Sequence, residues 1–336
     1  MWKMGSASLC CLRNASAMHI PVLFDEVMQA LQPRSGGRYL DCTLGGGGHT
    51  EGLLKASAPD GRVLATDADP DAIARASERL GDVQGDRLVL RQAWLDEAPA
   101  LARSLGFAPL DGVLVDLGLS SDQLDAAERG FSFTREGPLD MRFDRSRGAP
   151  AWQLIEQMDV RRLAEVLRRY GEVPNARCVA EAIWQARPVM TTGQLRDVVS
   201  KVARTRSERI HPATQVFQAL RIAVNDELRR LEAALPELIE ILRPGGRIAV
   251  IAFHSLEDRI VKDAFRRESR SEIAQPGFGA GESRRARLHL LNKAPIRPGA
   301  AEVARNPRAR SARLRLGQRL EPGDGGVSAT RARGAW

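Results

Sequence analysis

The chain lacks the features that mark membrane, secreted and zinc-binding proteins. Only 4 of its 336 residues are cysteine, and none of them forms a Cys-x-x-Cys pair, so neither a disulfide framework nor a metal site is expected. No apolar run approaches the roughly 20 residues of a membrane span. With 43% hydrophobic and 27% charged residues, the composition is that of a soluble globular protein. These absences favour a reducing, cytoplasmic setting and exclude a membrane protein.

Positive charge is concentrated at one end of the chain. The net charge is +8, and thirteen lysines and arginines lie between Arg284 and the C-terminus against three acidic residues. Clustered cations release counterions when they neutralise phosphates, so this segment predicts a polyanionic partner. The alternative is a solvated or disordered charged end.

The two ends of the chain differ from the remainder. Residues 1–18 contain an apolar stretch that is too short and broken for a signal peptide, which predicts a disordered extension. A weak targeting peptide, or a true start at Met18, are the alternatives. Residues 321–336 are predicted to be a disordered tail.

Strand-like and helix-like segments alternate in the first third of the chain. The strand-like segments are short and rich in Val and Leu, and they cover residues 38–44, 62–69, 87–94 and 111–118. Helical patterns separate them, which is the signature of a parallel sheet covered by helices on both faces. The sequence therefore predicts an α/β fold.

The alternation stops after the fourth strand and resumes later. Residues 126–213 have helical periodicity without a strand pattern, which predicts a helical insert between core segments 19–125 and 214–320. In the second core segment, residues 225–246 predict a long helix and residues 247–253 a buried strand. Further on, residues 287–291 and 311–317 are predicted to form a terminal pair of strands.

Four consecutive glycines follow the first predicted strand. At Gly45–Gly48, ahead of His49, the backbone amides and a helix N-terminus can approach a ligand closely. Asp67 ends the next strand, where a carboxylate can accept hydrogen bonds from ribose hydroxyls. The dinucleotide pattern GxGxxG is not met, because Thr50 and Glu51 stand where the third glycine is required. S-adenosylmethionine, which has a ribose and no phosphate, fits this pattern better than a nicotinamide cofactor.

Polar and aromatic side chains follow the other predicted strands. Trp94 comes after the third strand, either against an adenine or as a core aromatic. Asp116 ends the fourth strand, on the rim where ligands bind in parallel sheets, or caps the following turn. Ser120 and Ser121 carry the same two interpretations. His254 ends the fifth strand and is either a rim residue or a structural one.

Several long segments resemble, in the same order, those of the bacterial small-subunit ribosomal RNA cytosine-N4 methyltransferases, the MraW/RsmH family. They are "HIPVLFDEV" (19–27), "DCTLGGGGHTEGLL" (41–54), "DLGLSSDQLD" (116–125), "RGFSFTREGPLDMRFD" (129–144), "HPATQVFQALRIAVNDEL" (211–228), "LRPGGRIAVIAFHSLEDRIVK" (242–262) and "NPRARSARLR" (306–315). The resemblance covers nearly everything from His19 to about Gln318.

The resemblance implies a class I, Rossmann-like methyltransferase with a mainly parallel sheet and an inserted helical domain. The implied methyl donor is S-adenosyl-L-methionine, and the implied acceptor is the exocyclic N4 of a cytidine in the decoding region (P site) of 16S rRNA in the small ribosomal subunit. Transferred motif by motif, the cofactor contacts are Gly47, Gly48, His49, Asp67, Trp94, Asp116 and Gln123. The chain departs from the family at Gly46, which replaces a longer basic residue, and at Trp94, which replaces Phe.

The chemistry of the implied reaction adds catalytic and substrate residues. The lone pair of a cytosine amine is delocalised, so a nearby acceptor is needed, and Asp116, Ser120 or Ser121 is the predicted one. The helical insert is expected to recognise the substrate and, with the segment beginning at His211, to wall the base pocket.

The other predicted substrate contacts lie on the rim and in the basic segment. His254 and Ser255 are expected on the rim, and Arg308, Arg310 and Arg313 on phosphates. The alternative for these arginines is an edge strand protected from aggregation.

Two other classes of protein are compatible with parts of the pattern. A nicotinamide-dependent oxidoreductase would share the fold, but the glycine spacing counts against it. A non-catalytic RNA-binding assembly factor would keep the fold without turnover, whereas the glycine turn, Asp67, Asp116 and Gln123 are all intact. The oligomeric state, the modified cytidine and the choice between naked RNA and an assembled subunit stay open.

Overall fold

One sheet organises the part of the chain that the computed structural model describes, residues 21–203, 211–271 and 285–321. Its strands are β1 (Arg38–Asp41), β2 (Arg62–Asp67), β3 (Leu88–Gln92), β4 (Leu110–Asp116), β5 (Leu242–Ala252), β6 (Leu288–Leu290) and β7 (Arg313–Arg319). The predicted extension at residues 1–18, and the predicted tail apart from Glu321, lie outside the described residues.

Helices cover the sheet and form a second body of structure beside it. Those of the first half are α1 (Phe24–Leu31), α2 (Gly48–Ala56), α3 (Pro70–Gln84), α4 (Ala98–Ser104), α5 (Ser121–Asp125), α6 (Ala151–Gln157) and α7 (Val160–Gly171). Those of the second half are α8 (Ala176–Gln185), α9 (Thr192–Val202), α10 (Pro212–Asn225), α11 (Glu227–Glu240), α12 (Ser255–Glu268) and α13 (Ala300–Arg305). None of the described helices combines the length and the hydropathy that crossing a bilayer requires.

The strands are arranged in the order β3-β2-β1-β4-β5-β7-β6. The pairs from β3 to β5 are parallel, whereas β7 runs antiparallel to both β5 and β6. The predicted class I fold with a mainly parallel sheet is confirmed, and so is the terminal strand pair. β5 pairs with residues 313–318 of β7, whereas β6 pairs only with residues 317–319, so the edge-strand interpretation of residues 306–315 stays open.

The strand order reverses direction between β1 and β4. From β1 the chain moves outward to β2 and β3, and it then returns to place β4 on the other side of β1. A reversal of this kind opens a crevice at the carboxyl ends of the strands. Asp41, Asp67 and Asp116 are the last residues of β1, β2 and β4, so three carboxylates face the same edge of the sheet.

The fifth strand begins earlier than the sequence predicts. The preceding helix was expected to reach residue 246, but α11 ends at Glu240 and β5 starts at Leu242. Pro244 and Gly245 lie within β5, where the pairing with β4 shifts from Leu110–Leu242 to Gly112–Arg247. The extra residues form a bulge, which accommodates a proline and the positive φ of 75° at Gly245.

Helices α6 to α10 share a hydrophobic core of their own. Its fully buried side chains include Leu139, Ile155, Leu167 and Leu220, and we call this body the helical cluster. The predicted boundary between residues 213 and 214 falls in the first turn of α10, whose apolar face belongs to this core. The division of the chain into a core and a substrate-recognising insert stays a prediction.

Candidate functional site

A pocket opens at the carboxyl ends of β1, β2 and β4. Its lining contains all of the cofactor-binding and catalytic residues predicted from the sequence: Gly47, Gly48, His49, Asp67, Trp94, Asp116, Ser120, Ser121 and Gln123. These residues come from four separate segments of the chain. Their convergence follows from parallel strands that end at one edge of the sheet.

The glycine turn forms one wall of the pocket, and the local structure requires glycine at some of its positions but not at all of them. Gly47 precedes α2 with a φ of 76°, a conformation that side chains disfavour. A Cβ at Gly48 would lie 2.4 Å from Cγ of Pro21, whereas a Cβ at Gly46 meets nothing within 4 Å. Gly46 is therefore a position in this turn where a side chain has room.

The carboxylate of Asp67 is held by the backbone on both sides. Gly45 N–H donates to Oδ2 at 2.8 Å, and Asp69 N–H donates to Oδ1 at 2.9 Å. Burial raises the pKa of Asp67 to about 6, against the two backbone hydrogen bonds and with the help of the neighbouring charges of Asp69 and Asp41. At neutral pH Asp67 is an ionised, fixed acceptor, as a pair of ribose hydroxyls requires.

Asp116 and His49 lie next to each other in the pocket. Nδ1 of His49 is 3.6 Å from Oδ2 of Asp116, and its Nε2 is 3.1 Å from the carbonyl oxygen of Val22. Oδ1 of Asp116 is buried and has no hydrogen-bond partner among the described residues. Burial, followed by the charges of Asp41 and Glu257, raises the pKa of Asp116 well above its ordinary value.

The indole of Trp94 faces a cation as well as the pocket. The guanidinium of Arg230 lies 4.1 Å from the ring centre, and Asp96 accepts from Arg230 at 2.5 Å. Nε1 of Trp94 is buried and has no hydrogen-bond partner in the described part of the chain. The ring is thus fixed from one side, while a buried donor is left for a ligand.

Ser120 and Gln123 form a reciprocal cap at the start of α5. Ser120 N–H donates to Oε1 of Gln123 at 3.0 Å, and Gln123 N–H donates to Oγ of Ser120 at 3.2 Å. Nε2 of Gln123 donates to Oδ2 of the buried Asp69 at 2.9 Å. Both residues therefore shape the turn after β4, whereas no hydrogen bond of the Ser121 hydroxyl is found among the described residues.

The residues after β5 belong to a buried network that sequence reasoning missed. Glu257 accepts from the Phe253 N–H at 2.8 Å and lies 3.1 Å from Nε2 of His254. Burial raises the pKa of Glu257, but His254 and Arg221 outweigh it and hold the pKa below the ordinary value. Arg221 also donates to both oxygens of Glu227 at 2.9 Å. The motif "HSLE" held a signal, since His254 is the N-cap of α12 and an acidic residue three positions later forms a capping box.

The predicted substrate residues are more dispersed. His254 and Ser255 lie outside the pocket lining, at the start of α12, and His211 caps α10 and stacks on Phe133 with 4.8 Å between ring centres. Arg308 lines the pocket and pairs with Asp125 at 3.1 Å, whereas Arg310 is exposed and outside it. The structure thus brings one of these five residues into the site.

A model of the MraW methylase family matches residues 16–320. The chain belongs to the MraW methylase family. It is similar to the protein named ribosomal RNA small subunit methyltransferase H of Thermomicrobium roseum, at 52% identity over 91% of this chain and 94% of that protein. The protein of the same name from Symbiobacterium thermophilum is 45% identical over 91% of this chain and 98% of its own length. Among solved structures, a putative rRNA-methylase from Clostridium thermocellum aligns with 90% of this chain at a TM-score of 0.44 and 12% identity.

The methyl donor of this MraW methylase is S-adenosylmethionine, and the pocket has the groups that such a molecule needs. Nε1 of Trp94 is a buried donor without a hydrogen-bond partner among the described residues. Asp67 offers an ionised carboxylate, and the open space at Gly46 leaves the backbone accessible. The residues present therefore fit the cofactor.

Proposed function

We propose that this methylase transfers a methyl group from S-adenosylmethionine to the exocyclic N4 of a cytidine in the decoding region of 16S rRNA. The observation that carries the proposal is the Asp116 carboxylate at the crevice, whose buried Oδ1 has no hydrogen-bond partner among the described residues and whose pKa is well above the ordinary value. When bound, the cofactor supplies an electrophilic methyl group on a sulfonium. The relatives named above supply the class of RNA.

The cytosine amine requires help because its lone pair is delocalised into the ring. A carboxylate that accepts a hydrogen bond from this amine favours a nitrogen whose lone pair can attack. The nitrogen gains the methyl group and must lose a proton. A carboxylate whose conjugate acid has a raised pKa accepts that proton more readily than an ordinary carboxylate. We assign this role to Asp116, with the hydroxyl of Ser121 as the second acceptor.

The cofactor is assigned to the glycine turn and the end of β2. In this assignment Asp67 accepts from both ribose hydroxyls and Trp94 lies against the adenine. Gly47, Gly48 and His49 contact the methionine end of the cofactor. Ser120 and Gln123 act through the cap that orients the turn after β4, so we assign them a positioning role.

The helical cluster is assigned to the substrate base. Phe143 and Asn225 line the pocket from its side, and Asn225 Oδ1 accepts from the Phe143 N–H at 2.8 Å. A target base must leave its stack to reach the crevice, and single-stranded RNA permits this at low cost. With an rRNA substrate, a cytoplasmic setting is part of the same proposal.

The test is a methyl-transfer assay on small ribosomal subunits from cells that lack this gene. The protein is incubated with labelled S-adenosylmethionine, and the RNA is digested to nucleosides. Label in N4-methylcytidine is the expected result. Label in another nucleoside overturns the N4 assignment, and tight cofactor binding without transfer to subunits or naked RNA favours a non-catalytic assembly factor.

The role of Asp116 is tested separately with Asp116→Asn. The expected result is a large loss of kcat with little change in cofactor affinity, together with loss of any rise in rate with pH. Near-normal turnover with intact cofactor affinity contradicts the assignment of the proton acceptor. Ser121→Ala is the matched variant, and it is expected to lower kcat less.

A further inference from the structure

Four arginines on α7 have no acidic partner among the described residues. Arg161, Arg162, Arg168 and Arg169 are exposed. At 100° per residue they fall within an arc of about 120° on the helix surface. Leu163 and Leu167, on the other side of α7, are fully buried in the helical cluster. We call these four residues the arginine face.

The basic segment near the C-terminus differs from this face. Within the described residues, Arg287 pairs with Glu240 and Glu268, both at 2.7 Å, and Arg319 pairs with Glu240 at 3.1 Å. In the same segment Arg315 pairs with Asp258 at 2.6 Å. Much of the positive charge in this segment is therefore neutralised by ion pairs within the fold. The arginine face is a better candidate for binding an external anion.

A groove with an aromatic side chain runs beside the arginine face. Val166, Tyr170 and Pro174 line it between α7 and α8, and the guanidinium of Arg169 lies 5.5 Å from the centre of the Tyr170 ring. Guanidinium planes and aromatic rings are the surfaces on which unstacked bases lie. Glu165 is exposed in the same arc, so the face carries a net charge of about +3.

The C-terminal end of α7 contacts the start of α12, close to the pocket. Ser255 Oγ, at the start of α12, donates to Oε2 of Glu172 at 2.9 Å, and Glu172 is the residue that follows α7. Two residues beyond Ser255, Glu257 lines the pocket. Arg168 and Arg169 are within about one helical turn of this contact, and Arg161 and Arg162 are roughly 10 Å further along the helix.

We propose that the arginine face binds the phosphate backbone of single-stranded RNA next to the target nucleotide. The groove takes a neighbouring base against Tyr170, and the strand continues from the end of α7 into the pocket. This inference rests on the proposed function in that it takes the substrate to be RNA. It adds the surface that holds the strand.

The first test compares two paired variants with a matched control. Arg161→Gln/Arg162→Gln and Arg168→Gln/Arg169→Gln each remove two charges from the face, whereas Arg62→Gln/Arg103→Gln removes two from exposed positions near the amino ends of the strands. Binding of a single-stranded fragment of small-subunit rRNA is measured against salt concentration. Each face variant is expected to lower the slope of log K against log salt by about 1.4. The control variant and the cofactor affinity are expected to be unchanged.

The second test uses an exposed thiol in the same groove. Cys178 lines the groove and is free, whereas Cys42 is buried. The alkylation rate of Cys178, followed in its own peptide by mass spectrometry, is expected to fall several-fold when RNA is bound. Unchanged alkylation at saturating RNA, or salt slopes equal to the wild-type slope in both face variants, overturns the inference.

The outcomes separate this inference from the proposed function. Protection of Cys178 with no methyl transfer by the wild-type protein supports the RNA-binding face and rejects the reaction. Normal methyl transfer and salt slope in both face variants reject the face and leave the reaction standing.

Discussion

Arg129 Nη1 donates to both carboxylate oxygens of Asp69, at 3.1 and 2.9 Å, and the two side chains are 4% and 0% exposed. Nη2 of Arg129 donates to the carbonyl oxygens of Arg142 and Phe143. Asp69 lies in the turn after β2, two residues beyond Asp67. This ion pair therefore joins the cofactor side of the pocket to the segment that leads into the helical cluster.

Replacing Arg129 with Met is expected to lower the free energy of unfolding by about 3–5 kcal/mol, because Asp69 is left as a buried charge without its main partner. Urea denaturation followed by circular dichroism measures the change. The double variant Asp69→Asn/Arg129→Met is expected to recover part of the loss, since no charge is then stranded. A double variant less stable than Arg129→Met would contradict this account.

Cofactor affinity is expected to decrease as the pH falls through about 6. The pKa of Asp67 in the cofactor-free protein is raised to about 6, chiefly by burial, and ribose hydroxyls that donate to Asp67 favour its ionised form. Cofactor binding therefore lowers this pKa. The affinity for the cofactor is at its maximum above pH 6, where Asp67 is ionised, and falls by up to about tenfold for each pH unit below 6. Titration calorimetry at pH 5, 6 and 7 measures the profile. Asp67→Asn is expected to bind the cofactor more weakly at pH 7 and to lose the pH dependence of this affinity. An equally steep pH profile in that variant would assign the pH dependence to another group.

Two glycines of the same turn are expected to differ in their tolerance of alanine. Gly48→Ala places a methyl group 2.4 Å from Cγ of Pro21, so a cost of about 1–3 kcal/mol in stability or cofactor binding is expected. Gly46→Ala meets open space, so its dissociation constant is expected to stay within about twofold of the wild-type value. Thermal unfolding with and without S-adenosylmethionine measures both effects. Equal losses in the two variants would mean that the turn changes shape when the cofactor binds.

Arginines of the C-terminal segment are expected to divide into structural and exposed ones. Arg315 is buried and donates to Asp258 at 2.6 Å, so Arg315→Gln is expected to cost about 1.5–3 kcal/mol of stability. Arg310 is exposed, so Arg310→Gln is expected to leave stability nearly unchanged. Denaturation curves and salt-dependent RNA binding of the two variants check this division. Loss of RNA affinity in Arg310→Gln at unchanged stability would support the predicted phosphate contact of this residue.

The sheet and the cofactor side of the pocket could be predicted because their signals are local. Short apolar segments, the glycine turn and carboxylates at strand ends are read from a few neighbouring residues, and parallel pairing then brings Asp67 and Asp116 to one edge. The bulge at Pro244 and Gly245 could not be predicted, because the same residues also end helices. Whether Pro244 and Gly245 end a helix or form a bulge within a strand depends on how β5 pairs with β4.

The buried ion pairs could not be predicted because their partners are far apart in the chain. Nothing near Arg129 in sequence marks Asp69 as its partner, and nothing near Arg315 marks Asp258. The arginines of the C-terminal segment were therefore expected to be available to RNA. In the fold, several of them form ion pairs with acidic residues from other parts of the chain. Because these distant partners could not be seen in the sequence, the phosphate contacts were expected on the C-terminal segment and not on the arginines of α7.

The position of β7 in the sheet has a consequence for how the protein is made. When β6 leaves the ribosome, the strand that joins it to β5 has not yet been synthesised, so one end of the sheet stays open until Arg319 has emerged. Glu302, which accepts from the Leu23 N–H at 2.7 Å, and the pocket residues Asn306 and Arg308 arrive in the same final stretch. The pocket of this topology therefore stays incomplete until the segment from Glu302 to Arg319 has been synthesised.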